Sequence, residues 1–124
     1  MELEAFKKYL PYLRTACGYS QIALCNALDL SHATYLKIEN GIEPIKRRDY
    51  YAIRYLIEKD EFGKSLLDIL VDGKYLSGVD RAALVVRLDK VIKKSSRKSG
   101  IFFLRKDLIK AYNEFIIERK AAGL

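Results

Sequence analysis

The side chains that most often carry catalysis are few in this chain. His32 is the only histidine among 124 residues, so neither a histidine-based metal cluster nor a His–Cys dyad is expected. Cys17 and Cys25, the two cysteines, fall on apolar helix positions, which predicts inert core thiols. The carboxylates are scattered beside basic residues, and no glycine-rich phosphate loop occurs. We therefore expect no enzymatic activity, no metal and no cofactor.

A different chemistry, hydrogen bonding to nucleic-acid bases, is open to residues 31–40. Ser31 is a favoured N-cap, and helical spacing from it directs Tyr35 and Ile38 toward the core. Lysine can donate to guanine O6 or N7, histidine can bond a base edge or a phosphate, and alanine can touch a thymine methyl. An exposed leucine here would contact either a thymine methyl or a protein. The predicted base-reading residues are His32, Ala33, Leu36 and Lys37, with an ordinary solvent-facing helix as the alternative.

Contacts to the phosphate backbone are predicted near helix starts. The backbone amides beside Gln21 can meet a phosphate, because helix N-termini attract anions. The cations of residues 46–48 open a helix, where they oppose its dipole, which favours a phosphate contact over an idle solvated turn. The predicted backbone contacts are Ser20, Gln21, Ser31, Asn40, Lys46, Arg47 and Arg48.

The positive charge is distributed unevenly along the chain. The net charge is +7, but residues 1–72 carry −1 and residues 73–124 carry +8. Because a basic segment attracts polyanions, the second segment is predicted to lie against phosphate or another polyanion. An idle basic surface on a dimerisation hairpin is the alternative. The cations predicted for the polyanion contact are Lys90, Lys93, Lys94, Arg97, Lys98, Arg105 and Lys106.

Helices must position these residues, because apolar side chains recur every three or four positions almost everywhere. We predict an all-α protein, with five helices in residues 1–72 and a basic helical hairpin in residues 73–124. Pro11 predicts a regular helix that starts near Leu10, or a kink there. Residues 101–104 could form a short strand, although nothing nearby could pair with it. The apolar positions expected in the second helix are Ile22, Leu24, Cys25 and Leu28.

Composition and the N-terminus bear on the cellular location. Half of the residues are apolar and 31% are charged, which argues against disorder. No apolar run approaches the roughly 20 residues that a membrane span needs. The N-terminal residues are acidic and unlike a secretory signal. With only two cysteines, the chain is expected in the reducing cytoplasm, without a membrane partner.

Several of these residues form a pattern that resembles a known family. The pattern consists of Gly18-Tyr19-Ser20-Gln21, Leu24, Leu28, Leu30-Ser31, Thr34-Tyr35, Ile38-Glu39-Asn40-Gly41 and Pro44. It is similar to the Xre/Cro-C1 type of phage and bacterial repressors over about residues 5–72. Asp29 replaces the usual glycine of the turn, and Cys25 replaces the usual alanine. Aspartate tolerates a left-handed conformation better than most residues, so the turn is expected to form.

The resemblance implies a lambda-repressor-like unit whose helix-turn-helix presents residues 31–40 as the recognition helix. It implies a phosphate contact for Gln21, and a partly buried ion pair between Arg14 and Glu39 that joins helix 1 to helix 3. It also implies double-stranded DNA as the partner of a homodimer. The hairpin has spare apolar positions for that dimer, namely Val85, Val86, Ile109 and Ile117.

We therefore expect a sequence-specific DNA-binding transcriptional regulator, acting as a repressor of phage, mobile-element or bacterial origin. The alternative is a phage-type inhibitor or an antitoxin, whose helical scaffold and C-terminal hairpin bind a protein or ribonucleoprotein. The scarcity of Arg, Gln and Asn among the outward residues of 31–40 fits that alternative, as does the basic segment.

Overall fold

A computed structural model of the protein describes residues 2–95 and 101–122. Over these residues the regular structure is entirely helical, without strands, which confirms the predicted all-α class. No helix in the described ranges combines the length and the apolar character of a membrane span. The helices are α1 (Glu2–Ala16), α2 (Gln21–Leu28), α3 (His32–Glu39), α4 (Arg47–Glu58), α5 (Glu61–Leu70), α6 (Gly78–Ser95) and α7 (Ile101–Ala121).

The first helix forms the centre of the structure. Phe6, Leu10, Leu13 and Ala16 are fully buried, and α1 packs against α3, α4, α5, α6 and α7. The helix runs through Pro11, so the expected start near Leu10 is wrong. An internal proline removes one backbone hydrogen bond. The buried apolar stripe extends on both sides of Pro11 and offsets that loss, because the whole helix packs in the core.

Helices α2 and α3 are each eight residues long and are joined by a tight turn. The Ser20 hydroxyl accepts the N–H of Ala23 at 3.1 Å, and the Ser31 hydroxyl accepts the N–H of Thr34 at 3.4 Å. Asp29 ends α2 in the left-handed conformation, with φ 54° and ψ 46°. Aspartate thus adopts the backbone geometry that the turn requires, as the sequence predicted.

The inner face of α2 is narrower than predicted. Leu24 and Cys25 are buried, and Leu28 is partly buried against the core. Ile22 is 58% exposed, so the prediction that it faces the core is wrong. A helix of about two turns that contacts the protein on one side has room for few buried positions.

Helices α4 and α5 pack closely because residue 63 has no side chain. Tyr50, Ile53 and Ile57 of α4 are buried, as their spacing predicts. A Cβ atom built on Gly63 would lie 2.3 Å from the Cys17 sulfur and 2.9 Å from the carbonyl oxygen of Ile57. Such distances are far below van der Waals contact, so the approach of α5 to α1 and α4 requires glycine.

Helices α6 and α7 form a pair that extends the same core. Leu84 and Leu88 of α6 and Leu108 and Phe115 of α7 are buried, in one apolar cluster with the residues of α1–α5. Residues 101–104 belong to α7, so the suggested strand is wrong. A strand needs a partner for its backbone groups, whereas a helix satisfies them within its own segment.

Polar side chains fix this helix pair to α1. The Tyr12 hydroxyl donates to Asp89 at 2.9 Å, and burial together with this contact raises the pKa of Tyr12 to about 12. The Arg105 guanidinium donates to the carbonyl of Ala16 at 2.8 Å and to the carboxylate of Asp60 at 3.0 Å. The Tyr12–Asp89 bond therefore holds α6, and the Arg105–Ala16 bond holds the start of α7, at defined positions along α1.

The close approach at Gly63 gives a test of this packing. Gly63→Ala should lower the free energy of unfolding by about 1–3 kcal/mol, because its methyl group overlaps the Cys17 sulfur. Gly78→Ala is the matched control, since nothing lies within 4 Å of a Cβ there, and it should stay within about 0.5 kcal/mol of the parent. Urea unfolding measures both. Equal stabilities of the two variants would contradict the packing of α5 described above.

Candidate nucleic-acid interface

The third helix has one buried side and one exposed side. Tyr35 and Ile38 are buried at 0% and 2% exposure, as predicted for inward positions. His32, Ala33 and Lys37 are exposed. Leu36 is partly buried, so the prediction of an exposed leucine is wrong. The helix packs against both α1 and α2, and this double contact covers more of its circumference than a single neighbour would.

The carboxylate of Glu39 joins three helices. It receives the Arg14 guanidinium of α1 through two hydrogen bonds, of 3.0 and 3.1 Å. The Gln21 side-chain amide of α2 donates to it at 2.9 Å, and the Tyr35 hydroxyl of α3 donates at 2.5 Å. Arg14 also donates to the carbonyl of Tyr19 at 2.9 Å. We call these four side chains, Arg14, Gln21, Tyr35 and Glu39, the Glu39 network.

The charged groups of the Glu39 network are largely shielded from water, which strengthens the attraction between them. The Arg14 and Glu39 side chains are only 12% and 7% exposed. Burial opposes ionisation of Glu39, but the hydrogen bonds and charge of Arg14, helped by Tyr35 and Gln21, bring its pKa below the ordinary value. Burial, then the nearby Glu39 charge, raises the pKa of Tyr35. Glu39 therefore stays an acceptor and Tyr35 a donor at neutral pH.

Several side chains that were predicted to contact the DNA backbone already form hydrogen bonds within the protein. Ser20 and Ser31 use their hydroxyls as helix caps, and Gln21 directs its side-chain amide to Glu39. The sequence pattern did not reveal the Gln21–Glu39 contact, because it joins residues 18 positions apart on different helices. Asn40 is exposed where α3 ends. The Gln21 side chain is thus occupied, but the peptide N–H groups at the start of α2 remain suited to binding a DNA phosphate.

The cations at the start of α4 are exposed. Lys46 is the N-cap residue of α4 and makes no side-chain capping bond, and Arg47 follows it. The Arg48 side chain is 89% exposed and lies 3.9 Å from Asp49. Lys37 of α3 is also exposed, with its amino group 3.7 Å from Glu43. Exposed ion pairs at these distances are weak and leave the cations available to another anion.

The basic residues of the C-terminal hairpin differ in their surroundings. Lys90, Lys94 and Lys106 are exposed. Lys93 is exposed and lies 2.9 Å from Asp89. The Arg105 guanidinium donates to the carbonyl of Ala16 and pairs with the carboxylate of Asp60, so it holds α7 in place, a role that its charge alone did not predict. Two further predicted cations, Arg97 and Lys98, lie outside the described residues.

The hairpin also carries the apolar positions that were predicted for a dimer. Val86 and Ile117 are 55% and 66% exposed. Val85 packs against the core, and Ile109 is partly buried. Of the predicted set, Val86 and Ile117 are thus the side chains that present most surface to a partner.

The two cysteines are shielded from solvent to different degrees. Cys25 is buried. The pKa of the Cys17 thiol is raised to about 12, mainly by the burial of Cys17 itself and then by the charge of Asp60. A thiol with so high a pKa is a poor nucleophile at neutral pH. Within residues 2–95 and 101–122, no three His, Cys, Asp or Glu side chains are grouped so that they could hold a metal ion.

The chain matches no protein-family model, no curated protein and no solved structure.

A double-mutant cycle tests the central contact of the Glu39 network. Arg14→Ala should lower the free energy of unfolding by about 3–5 kcal/mol, because it leaves the buried Glu39 carboxylate without its cation. Arg14→Ala combined with Glu39→Ala should cost clearly less than the sum of the single losses.

The exposed pair Lys37–Glu43 is the control for this cycle, because its two side chains are 55% and 43% exposed. Its coupling should be only about 0.2–1 kcal/mol, as for other exposed pairs. Chemical denaturation of all variants gives both coupling energies. Additive losses for Arg14 and Glu39 would show that the two side chains do not stabilise each other.

Proposed function

We propose that the protein is a sequence-specific DNA-binding regulator of the Xre/Cro-C1 type, which represses transcription. The observation that carries the proposal is the two-sided character of α3. Its inner residues Tyr35 and Ile38 are buried, while His32, Ala33 and Lys37 are exposed. In this proposal α2, the turn at Asp29 and α3 form a helix-turn-helix, and α3 enters the major groove.

Lys37 is the residue best suited to read a base. It lies on the exposed side of α3, and lysine can donate to O6 or N7 of guanine. Its exposed contact with Glu43, at 3.7 Å, is weak enough to be exchanged for a base. His32 and Ala33, in the first turn of α3, would contact a base edge and a thymine methyl. Leu36 contributes at most its uncovered part to the same surface.

Backbone contacts would come from the starts of α2 and α4. The first amides of α2, at Gln21, can face a phosphate, and the exposed cations of residues 46–48 can neutralise others. Asn40 is a further candidate, since it is exposed at the end of α3. The hairpin cations Lys90, Lys93, Lys94 and Lys106 would add an interaction with phosphate that does not depend on sequence.

Repression would follow from the geometry of a homodimer. Two recognition helices would occupy successive major grooves about 34–36 Å apart and block the polymerase. Val86 and Ile117 are the exposed apolar residues proposed for the contact between the copies.

The second candidate function is an inhibitor or antitoxin that binds a protein or ribonucleoprotein. One observation favours it: the exposed residues of α3 include no arginine or glutamine, the side chains that make many bidentate base contacts. Selection of bound sequences from random double-stranded DNA separates the two functions. A palindromic motif supports the regulator, whereas binding that ignores sequence and disappears with salt supports the second candidate.

A pair of lysine variants tests base reading by α3. Lys37→Ala should weaken binding to the selected site by about 1–3 kcal/mol and relax the preference at one or two base pairs. Lys46→Ala removes the same charge from a proposed phosphate contact, so it should weaken all DNA sequences alike. Repeating the selection and the affinity measurement with each variant gives the result. An unchanged motif and affinity for Lys37→Ala would contradict the docking of α3.

The salt dependence of DNA binding tests the hairpin. Each neutralised phosphate contributes about −0.9 to the slope of log affinity against log salt. Replacing Lys90, Lys94 and Lys106 by glutamine should therefore flatten the slope by up to about 2.7 for each bound copy of the chain. The triple glutamine variant at Lys59, Lys64 and Lys74 loses the same charge outside α6 and α7 and should keep the parent slope. Equal slopes for both triple variants, at unchanged oligomeric state, would exclude a phosphate contact by the hairpin.

A further inference from the structure

An open groove of about 570 Å³ lies where four helices come together. It is formed by the first half of α1, the end of α3, the end of α5 and the start of α6. This volume is within the range of small-ligand sites, which is about 300–1,000 Å³. The polar side chains that line it are Glu4, Lys7, Lys8, Glu39, Asn40 and Arg81.

The groove has an excess of positive charge. Lys7, Lys8 and Arg81 contribute three cations, and no ion pair of theirs occurs among the described residues. Glu4 opposes them with one exposed carboxylate. The charge of Glu39 is already matched by Arg14. An anion in the groove would therefore meet an attractive field.

Arg81, at the start of α6, carries an unpaired hydrogen-bond donor. Its Nε atom is buried and has no hydrogen-bond partner, the one such side-chain nitrogen or oxygen in the part of the chain that the structure describes. An unpaired buried N–H is costly, so Arg81 gains free energy if its guanidinium turns to meet an acceptor in the groove. A guanidinium presents its Nε and terminal N–H groups as a fork that matches the oxygens of phosphate.

The remaining surface of the groove is apolar. Ala5 and Tyr9 of α1, Leu70 of α5 and Val71 line it beside the cations. A ligand that fits both surfaces carries an anionic group on an apolar or aromatic body.

We propose that this groove binds a small organic phosphate. Arg81 holds the phosphate oxygens, Lys7 and Lys8 neutralise the remaining charge, and the body of the ligand packs on Tyr9 and Val71. Because Glu39 and Asn40 also line the groove, the ligand touches the last turn of α3. The site stands on the groove alone and does not require that the protein bind DNA.

Phenyl phosphate is the probe for this site, and calorimetric titration of the full chain gives its dissociation constant. Phenol and inorganic phosphate, which each carry half of the probe, should bind at least about tenfold more weakly, because each leaves part of the groove unmatched. Arg81→Met should weaken phenyl phosphate by about tenfold or more, since it removes a charge-assisted hydrogen bond. Glu4→Gln should tighten it about two- to fivefold by removing the opposing charge.

Two further variants keep the test decisive. Lys7→Gln combined with Lys8→Gln changes no residue of the core, so its weaker binding can be read even if Arg81→Met fails to fold. Lys120→Gln, an exposed lysine on α7 that does not line the groove, should bind the probe as the parent does. No saturable binding of phenyl phosphate, or binding that the groove variants leave unchanged, would overturn the proposal. So would a loss of DNA affinity in Arg81→Met without probe binding, because it would assign these cations to the DNA backbone.

Discussion

The buried carboxylate of Glu39 is the constraint on which the position of α3 depends. A buried charge is tolerated only when it is paired and hydrogen-bonded, and Glu39 meets this demand with Arg14, Gln21 and Tyr35. These partners come from α1, α2 and α3, so the carboxylate can keep its bonds in only one arrangement of the three helices. The same arrangement leaves His32, Ala33 and Lys37 on the exposed side of α3. The chemistry of a buried ion pair thus determines which residues the third helix offers to a partner.

Helix α1 extends this order to the C-terminal half of the chain. It carries Arg14 toward α3, and it also carries Tyr12, whose hydroxyl binds Asp89 of α6. Near its end, the carbonyl of Ala16 accepts from Arg105 of α7. The basic hairpin is therefore held by specific polar contacts to the same helix that positions α3. If α3 binds DNA as we propose, the lysines of the hairpin have a fixed place relative to the duplex.

Much of the helical structure could be predicted from local chemistry. Serine caps fixed the starts of α2 and α3, and apolar spacing identified the buried side of α3. Two expectations were wrong for different reasons. Core packing carries α1 through Pro11, and residues 101–104 satisfy their backbone groups within α7 instead of pairing as a strand. The surroundings of Arg105 and the Gln21–Glu39 bond depend on contacts between distant residues, which periodicity does not contain. The groove around Arg81 has the same origin, since its lining comes from four separate stretches of chain.

Amide chemical shifts of the 124-residue chain, followed while duplex DNA is added, measure the proposed role of α3 most directly. A DNA-reading α3 predicts that the largest changes fall on residues 31–40 and 46–48, with smaller changes on the lysine-bearing face of the hairpin. The changes at α3 should also persist at a salt concentration that removes those at the hairpin, because base contacts depend on salt less than phosphate contacts do. Changes confined to α6 and α7, with α3 unperturbed at every salt concentration, would contradict the account.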